Sequence, residues 1–215
     1  MKEFAISNIT TGQLNAVVKN IMRQTGTDDP NESVRLINSG KWSVARFGRN
    51  WYERDGVIYF TVTSDGTTGP EWITRLESKG FRLIDSAISI LNSPDFKPTN
   101  NVMTQIAVLK GTLFAENDRI TKNIRSVASK RGWITPNAEI ACLIREYFTD
   151  EDIEEMGFVW IIAMHEPINN SQESPYLLSV SQDDDGRSLT AASDSPARCW
   201  YYRDGLAFVV PQVSS

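Results

Sequence analysis

Trp51 to Val62 reads WYERDGVIYFTV, with aromatic and β-branched residues on both sides of Asp55-Gly56. Asp-Gly suits the two positive-φ positions of a tight hairpin turn, and Trp, Tyr, Ile, Phe and Val suit the pleated, half-buried strands beside it. With Trp42, Val44 and Phe47 and a Gly48-Arg49-Asn50 turn ahead of it, the stretch predicts a small antiparallel β-unit over about 42–63. The pattern returns at Trp200 to Pro211, WYYRDGLAFVVP, where five of twelve aligned positions are identical. The flanks, SVARFGRN and ASDSPARC, share nothing sustained, whereas a duplication carries its neighbours along. The pair therefore reads as one local problem solved twice, a turn leading into a half-buried strand. A paired aromatic recognition face is the alternative.

Before the β-unit, apolar residues repeat at helical spacing. Leu14, Val17, Val18, Ile21 and Met22 make one stripe over 12–23. Asp29 then caps a second helix that starts at Pro30, carries Val34, Leu36 and Ile37, and stops at Gly40. Together these predict a helical hairpin. After the β-unit, Ser64 to Gly69 is a polar connector and Pro70 opens a helix with Trp72, Ile73 and Leu76 on one face. A short helix follows over about 83–91. The run MTQIAVLKGTLF at 103–114 fits either a helix or a buried strand, and its helical flanks favour helix. Two further helices are expected over about 118–131 and 136–148, then a short acidic one over 149–156. The strand-like runs FVWIIAMHEPI, YLLSVSQDDDGRSLTAAS and WYYRDGLAFVVP close the chain.

The expected class is α+β: an N-terminal helical hairpin with a small β-unit, a helical middle, and a C-terminal antiparallel sheet of three or four strands. Two subdomains are expected, 1–66 and 67–215. With 215 residues, of which 40% are hydrophobic and 23% charged, the chain can bury a core without staples. A net charge of -5 argues against a global pull toward nucleic acid or anionic membrane. The N-terminus shows neither an apolar leader nor a run that could span a bilayer, which makes a soluble cytoplasmic protein the expectation.

Several segments, TVTSDGTTGPEWITRLESKGFRL, LNSPDFKPT, TPNAEIACLIREYFTDEDIEEMG and MHEPI, resemble a family of short uncharacterised bacterial proteins over about residues 14–213. The likeness implies no activity, catalytic residue or cofactor. The family's acidic DSDG-type stretch is replaced here by Asn169-Asn170-Ser171-Gln172, and its DDGRWL segment by Asp184 to Leu189 without the Trp.

The candidate chemistry is sparse. His165 is the only histidine, followed by Glu166, and Asn169 breaks HExxH. A hydrolase or metal-dependent enzyme built around that pair is one reading; a structural histidine is the plainer one. Asp183-Asp184-Asp185-Gly186 lacks the twelfth-position Glu of a calcium loop, since Ala192 stands there, and reads as a hairpin turn. Ser64 to Pro70 could offer backbone N–H groups to an anion but has no phosphate-loop pattern, so a helix-capping connector is favoured. Cys142 lies in an apolar run and Cys199 beside Trp200, with no metal-binding spacing. No metal or cofactor is implied.

The helix pair 118–148 followed by strands matches the order of a winged helix, with Lys122, Lys130, Arg131 and Arg145 as its nucleic-acid contacts. The first expectation is instead a non-enzymatic binding or interaction module. It would use an aromatic-rich β surface around Trp51, Tyr52, Trp200, Tyr201 and Tyr202 to hold a protein or a small polymeric ligand, and a homo-oligomer is compatible with it.

Overall fold

A computed structural model describes residues 29–38 and 50–211 apart from 171, 184 and 185, with isolated positions at 19, 22 and 27. The chain divides into two compact units, Met1–Gly48 and Arg49–Ser215. The boundary expected at 66 is therefore displaced to the start of the β-unit, whose strands belong to the second unit's sheet.

In the first unit, α1 spans Pro30–Asn38. The Asn31 N–H donates to Asp29 Oδ1 at 2.9 Å, so the expected Asp cap before a first-turn Pro is in place. The helix expected over 12–23 lies outside the described residues, apart from positions 19 and 22.

The second unit is α+β, with helices and one mixed nine-stranded sheet. Its strands are β1 Trp51–Arg54, β2 Val57–Asp65, β3 Arg82–Leu83, β4 Asn100–Lys110, β5 Trp160–Ala163, β6 Ile168–Asn169, β7 Pro175–Asp183, β8 Gly186–Ser193 and β9 Asp204–Val210. The order is β1-β2-β4-β9-β5-β7-β8-β3, with β6 on β7. The β5–β9 and β3–β8 pairs are parallel and the others antiparallel. A separate C-terminal antiparallel sheet is thus not what forms, because the first β-unit and the last strand share a neighbour.

That neighbour is β4, the run expected to be a helix. It pairs with β2 from Val57↔Leu109 to Asp65↔Asn100 and with β9 from Gln105↔Val210 to Lys110↔Gly205. Ile106, Ala107, Val108 and Leu109 are all fully buried. A strand covered on both faces shows no alternation, which is why its periodicity did not separate it from a helix.

The helices are α2 Gly69–Ser78, α3 Asp85–Leu91, α4 Thr121–Lys130, α5 Glu139–Tyr147 and α6 Asp150–Glu155. Alternate strand residues divide between two apolar clusters, as a pleated sheet requires. Ile58, Phe60, Ile106, Val108, Ile161 and Leu178 pack with Trp72 and Leu76 of α2, Ile90 of α3, Ile144 of α5 and Ile153 of α6. On the other face, Val57, Ala107, Leu109, Ile162, Leu206 and Phe208 pack with Ile124 and Ala128 of α4 and with Trp200. One face carries four helices, whereas the other has α4 and the loop leading into β9.

Local chemistry explains the boundaries. Asp55 and Gly56 both take positive φ, 52° and 73°, in the two-residue turn that closes Arg54↔Val57. A Cβ on Gly56 would also meet the Leu113 side chain at 2.7 Å. Gly56→Ala is expected to cost about 1–2 kcal/mol in a urea titration, mostly backbone strain; an unchanged midpoint would contradict this. At α2, the Thr68 backbone N–H and hydroxyl both donate to Glu71 Oε2, at 2.8 and 2.7 Å. The helix start thus carries its own carboxylate, in line with a capping connector rather than an anion cradle.

Candidate functional site

The two WYxRDG stretches meet at one end of the sheet. Val57 and Leu206 flank Leu109 on either side of β4, so each Asp-Gly lies just before an equivalent point of the ladder. They nevertheless fold differently. In the first copy Trp51–Arg54 is a strand and Asp55-Gly56 the turn; in the second, the residues before Asp204 form the turn and Asp204-Gly205 begins β9.

The tryptophans also part company. Trp51 is 4% exposed and belongs to the four-helix face, while Trp200 is 3% exposed and lies on the α4 face. A shared exposed face built on both tryptophans is therefore ruled out by the sheet's two-sidedness. The tyrosines are the exposed members: Tyr52, Tyr201 and Tyr202. Tyr52 stacks on Tyr59 at 5.2 Å, Tyr59 meets Trp133 edge-on at 6.2 Å, and Arg131 lies over Trp133 at 5.1 Å.

Trp200 and Tyr201 do come together with other residues. A cavity of about 300 Å3 on the α4 face is lined by Trp160 and Ile162 from β5, Ala191, Ala192 and Ser193 from β8, and Arg198, Trp200, Tyr201 and Asp204. Trp200 is held from two sides, its backbone N–H donating to Arg119 O at 2.8 Å and its indole N–H to Thr121 Oγ1 at 3.0 Å. The Arg198 guanidinium sits 4.5 Å above the Trp200 ring and donates to Ser193 Oγ at 2.9 Å. Its Nε is buried without an acceptor.

Asp204 faces the cavity because Leu206, two residues on, shares the same face. Its Oδ2 accepts the Tyr201 N–H at 2.8 Å while its own N–H donates to Tyr201 O at 3.1 Å, closing the turn reciprocally. Burial raises the pKa of its carboxyl, against the Tyr201 hydrogen bond and the charges of Arg198 and Arg119. Trp160, Arg198 and Asp204 were not anticipated as site residues. Trp160 reads in sequence only as part of the strand-like run FVWIIAMHEPI, and the β5–β9 pairing, Trp160↔Asp204, brings it beside the loop.

His165 is 1% exposed, and both ring nitrogens are engaged by backbone. Nε2 accepts the Leu178 N–H at 2.8 Å, so Nδ1 carries the proton and donates to Glu166 O at 2.6 Å. Burial, the first cause, together with the Arg125 charge lowers its pKa to about 4. The ring is neutral and saturated, and the Glu166 carboxylate is exposed rather than paired with it. This arrangement leaves no nitrogen for general-base or metal chemistry, although an open depression of about 410 Å3 lies alongside. Among the described residues, no cluster of three His, Cys, Asp or Glu could hold a metal ion.

The winged-helix residues do not form one surface either. α4 and α5 pack on opposite faces of the sheet. Lys122, Lys130 and Arg131 are exposed, but Arg145 is wholly buried, donating to Ser181 O and Phe148 O and pairing with Asp150 at 2.9 Å. A recognition helix needs an exposed polar flank, and α5 is buried from Glu139 to Arg145. Around the aspartate run, β7 and β8 pair antiparallel to Asp183↔Gly186, as a hairpin requires; Asp184 and Asp185 lie outside the described residues. Among the described residues, no helix is long and apolar enough to cross a membrane.

No family model, curated protein or solved structure matches this chain.

Proposed function

We propose that this protein is a non-enzymatic binding module whose ligand site is the Trp160–Trp200 cavity. The observation that carries the reading is the convergence of an aromatic and aliphatic lining with two charged side chains, Arg198 and Asp204, in a volume of about 300 Å3. Small-molecule sites share this make-up, mostly apolar walls with a few placed polar groups, and begin at about this size. The reading keeps the aromatic chemistry legible in the sequence but moves it from an exposed sheet surface into a concavity. A cavity of this size suits a one- or two-ring molecule better than a polymer.

The test is titration with 3-methylindole, indole-3-acetate and tryptamine, following the side-chain indole N–H resonances of Trp160 and Trp200. At least one probe is expected to shift both saturably. Ala192→Phe, which fills the cavity from β8, is expected to weaken that binding by about tenfold or more. If no probe moves either resonance, or if Ala192→Phe binds as the parent does, the cavity is not a ligand site.

A further inference from the structure

The cavity's two charged residues are not equivalent. The Asp204 carboxylate is already used, with Oδ2 closing its turn on the Tyr201 N–H at 2.8 Å. Burial raises its pKa as well, so its charge is disfavoured there. Arg198 has the opposite balance. Its guanidinium is held in place by the Trp200 ring at 4.5 Å and by Ser193 Oγ at 2.9 Å, yet its Nε is buried and has no acceptor. A guanidinium presents N–H donors in a planar fork that matches a carboxylate, and with Nε shielded it is the Nη edge of Arg198 that lines the cavity. The chemistry that complements this edge is an acceptor, preferably an anionic one, on a body flat enough for the tryptophan walls.

Resting on the ligand-binding reading above, we propose that the cavity selects a planar aromatic monocarboxylate, its carboxylate on Arg198 and its ring against Trp160 and Trp200. Arg198 then acts as the selecting group, and Asp204 holds the turn that presents Trp200 and Tyr201. A cationic ligand of the same shape would place a like charge beside the Arg198 guanidinium.

Three probes of nearly equal size separate the possibilities: indole-3-acetate, neutral 3-methylindole and cationic tryptamine. The expected result is that indole-3-acetate binds at least about tenfold tighter than the other two. Arg198→Gln is expected to erase that preference, so that indole-3-acetate and 3-methylindole bind the variant about equally. Arg198→Lys, which keeps the charge but not the fork, is expected to retain part of the preference. Should 3-methylindole or tryptamine bind as tightly as indole-3-acetate, anion selection is wrong while the binding site stands. Should none of the three bind, both fall. An Arg198→Gln protein that keeps the full preference would assign the anion contact elsewhere and overturn the role given to Arg198.

Discussion

Arg145→Ala is expected to lower the unfolding free energy by about 3–5 kcal/mol, the range for breaking a buried ion pair by removing one partner. The Arg145 side chain is fully buried beneath the sheet's four-helix face, 5.0 Å from the Phe81 ring. Its Nη1 donates to Ser181 O at 3.2 Å and its Nη2 to Phe148 O at 2.9 Å, joining the end of α5 to strand β7. Asp150, at the first position of α6, pairs with Arg145 at 2.9 Å and with Arg187 at 3.1 Å. Truncation leaves two carbonyls without their donor and Asp150 with Arg187 as its remaining partner, and it opens a cavity where the stem had been. Arg145→Lys is expected to recover little, because an ammonium cannot reach both carbonyls and the carboxylate with a fixed fork. Asp150→Asn should be costly for the converse reason, a buried guanidinium left without its counter-charge. The check is equilibrium denaturation in urea at neutral pH; a loss below about 1 kcal/mol for Arg145→Ala would mean the freed groups are rehydrated.

Stability is expected to fall between pH 6.5 and about 4 through His165 alone. The folded pKa is about 4 against an ordinary value of 6.5, so the shift is downward. Above pH 6.5 the imidazole is neutral in both states and contributes nothing to pH dependence. Below it, the unfolded chain takes up a proton that the folded chain refuses, and folding weakens by about 1.4 kcal/mol per pH unit. The loss levels off near pH 4, at about 3 kcal/mol in total. Physically, the proton would have to displace the Leu178 N–H from Nε2, leaving a charged ring and an unpaired amide in the interior. Asp65, held down to about 2 by hydrogen bonds from Thr67 and Arg75, loses its contribution only as pH falls from its ordinary 3.8 through that value. The His165 window therefore lies above it. His165→Gln should start less stable at pH 7 yet show a flatter profile from pH 7 to 4.5. Equal slopes for the two proteins would remove His165 as the cause.

Features that depend on residues within a few positions of one another were legible. Asp55-Gly56 specifies its turn because two successive positive-φ positions exclude most side chains. Asp29 ahead of Pro30 specifies a helix start because the carboxylate reaches only the next turn's amides. His165 as a structural histidine was the plainer of the two readings, since one imidazole without a partner makes neither a dyad nor a metal site. Its backbone partners, however, come from the neighbouring strand and have no signature in the chain.

The tertiary structure decided the rest. By itself the sequence determined the α+β class, the hairpin at Asp55-Gly56, the helix starts near Pro30, Pro70 and Thr149, and an excess of aromatic residues near two β-strands, whereas the helices expected from 118 and 136 begin at Thr121 and Glu139. Whether 103–114 became a helix or a strand depended on β2 and β9, which lie on either side of it only in the folded sheet. Its centre, Ile106 to Leu109, is apolar at every position and carries no periodicity, so its neighbours decide. The two WYxRDG stretches make the same point, for one is a strand with a turn and the other a turn with a strand start. A hexapeptide can satisfy its hydrogen bonds in either form, and the ladder partner available to each copy settles which. That choice buried Trp51 on one face and Trp200 on the other. It also brought Trp200 beside Trp160, Arg198 and Asp204, a grouping that exists only through strand pairing across more than forty residues.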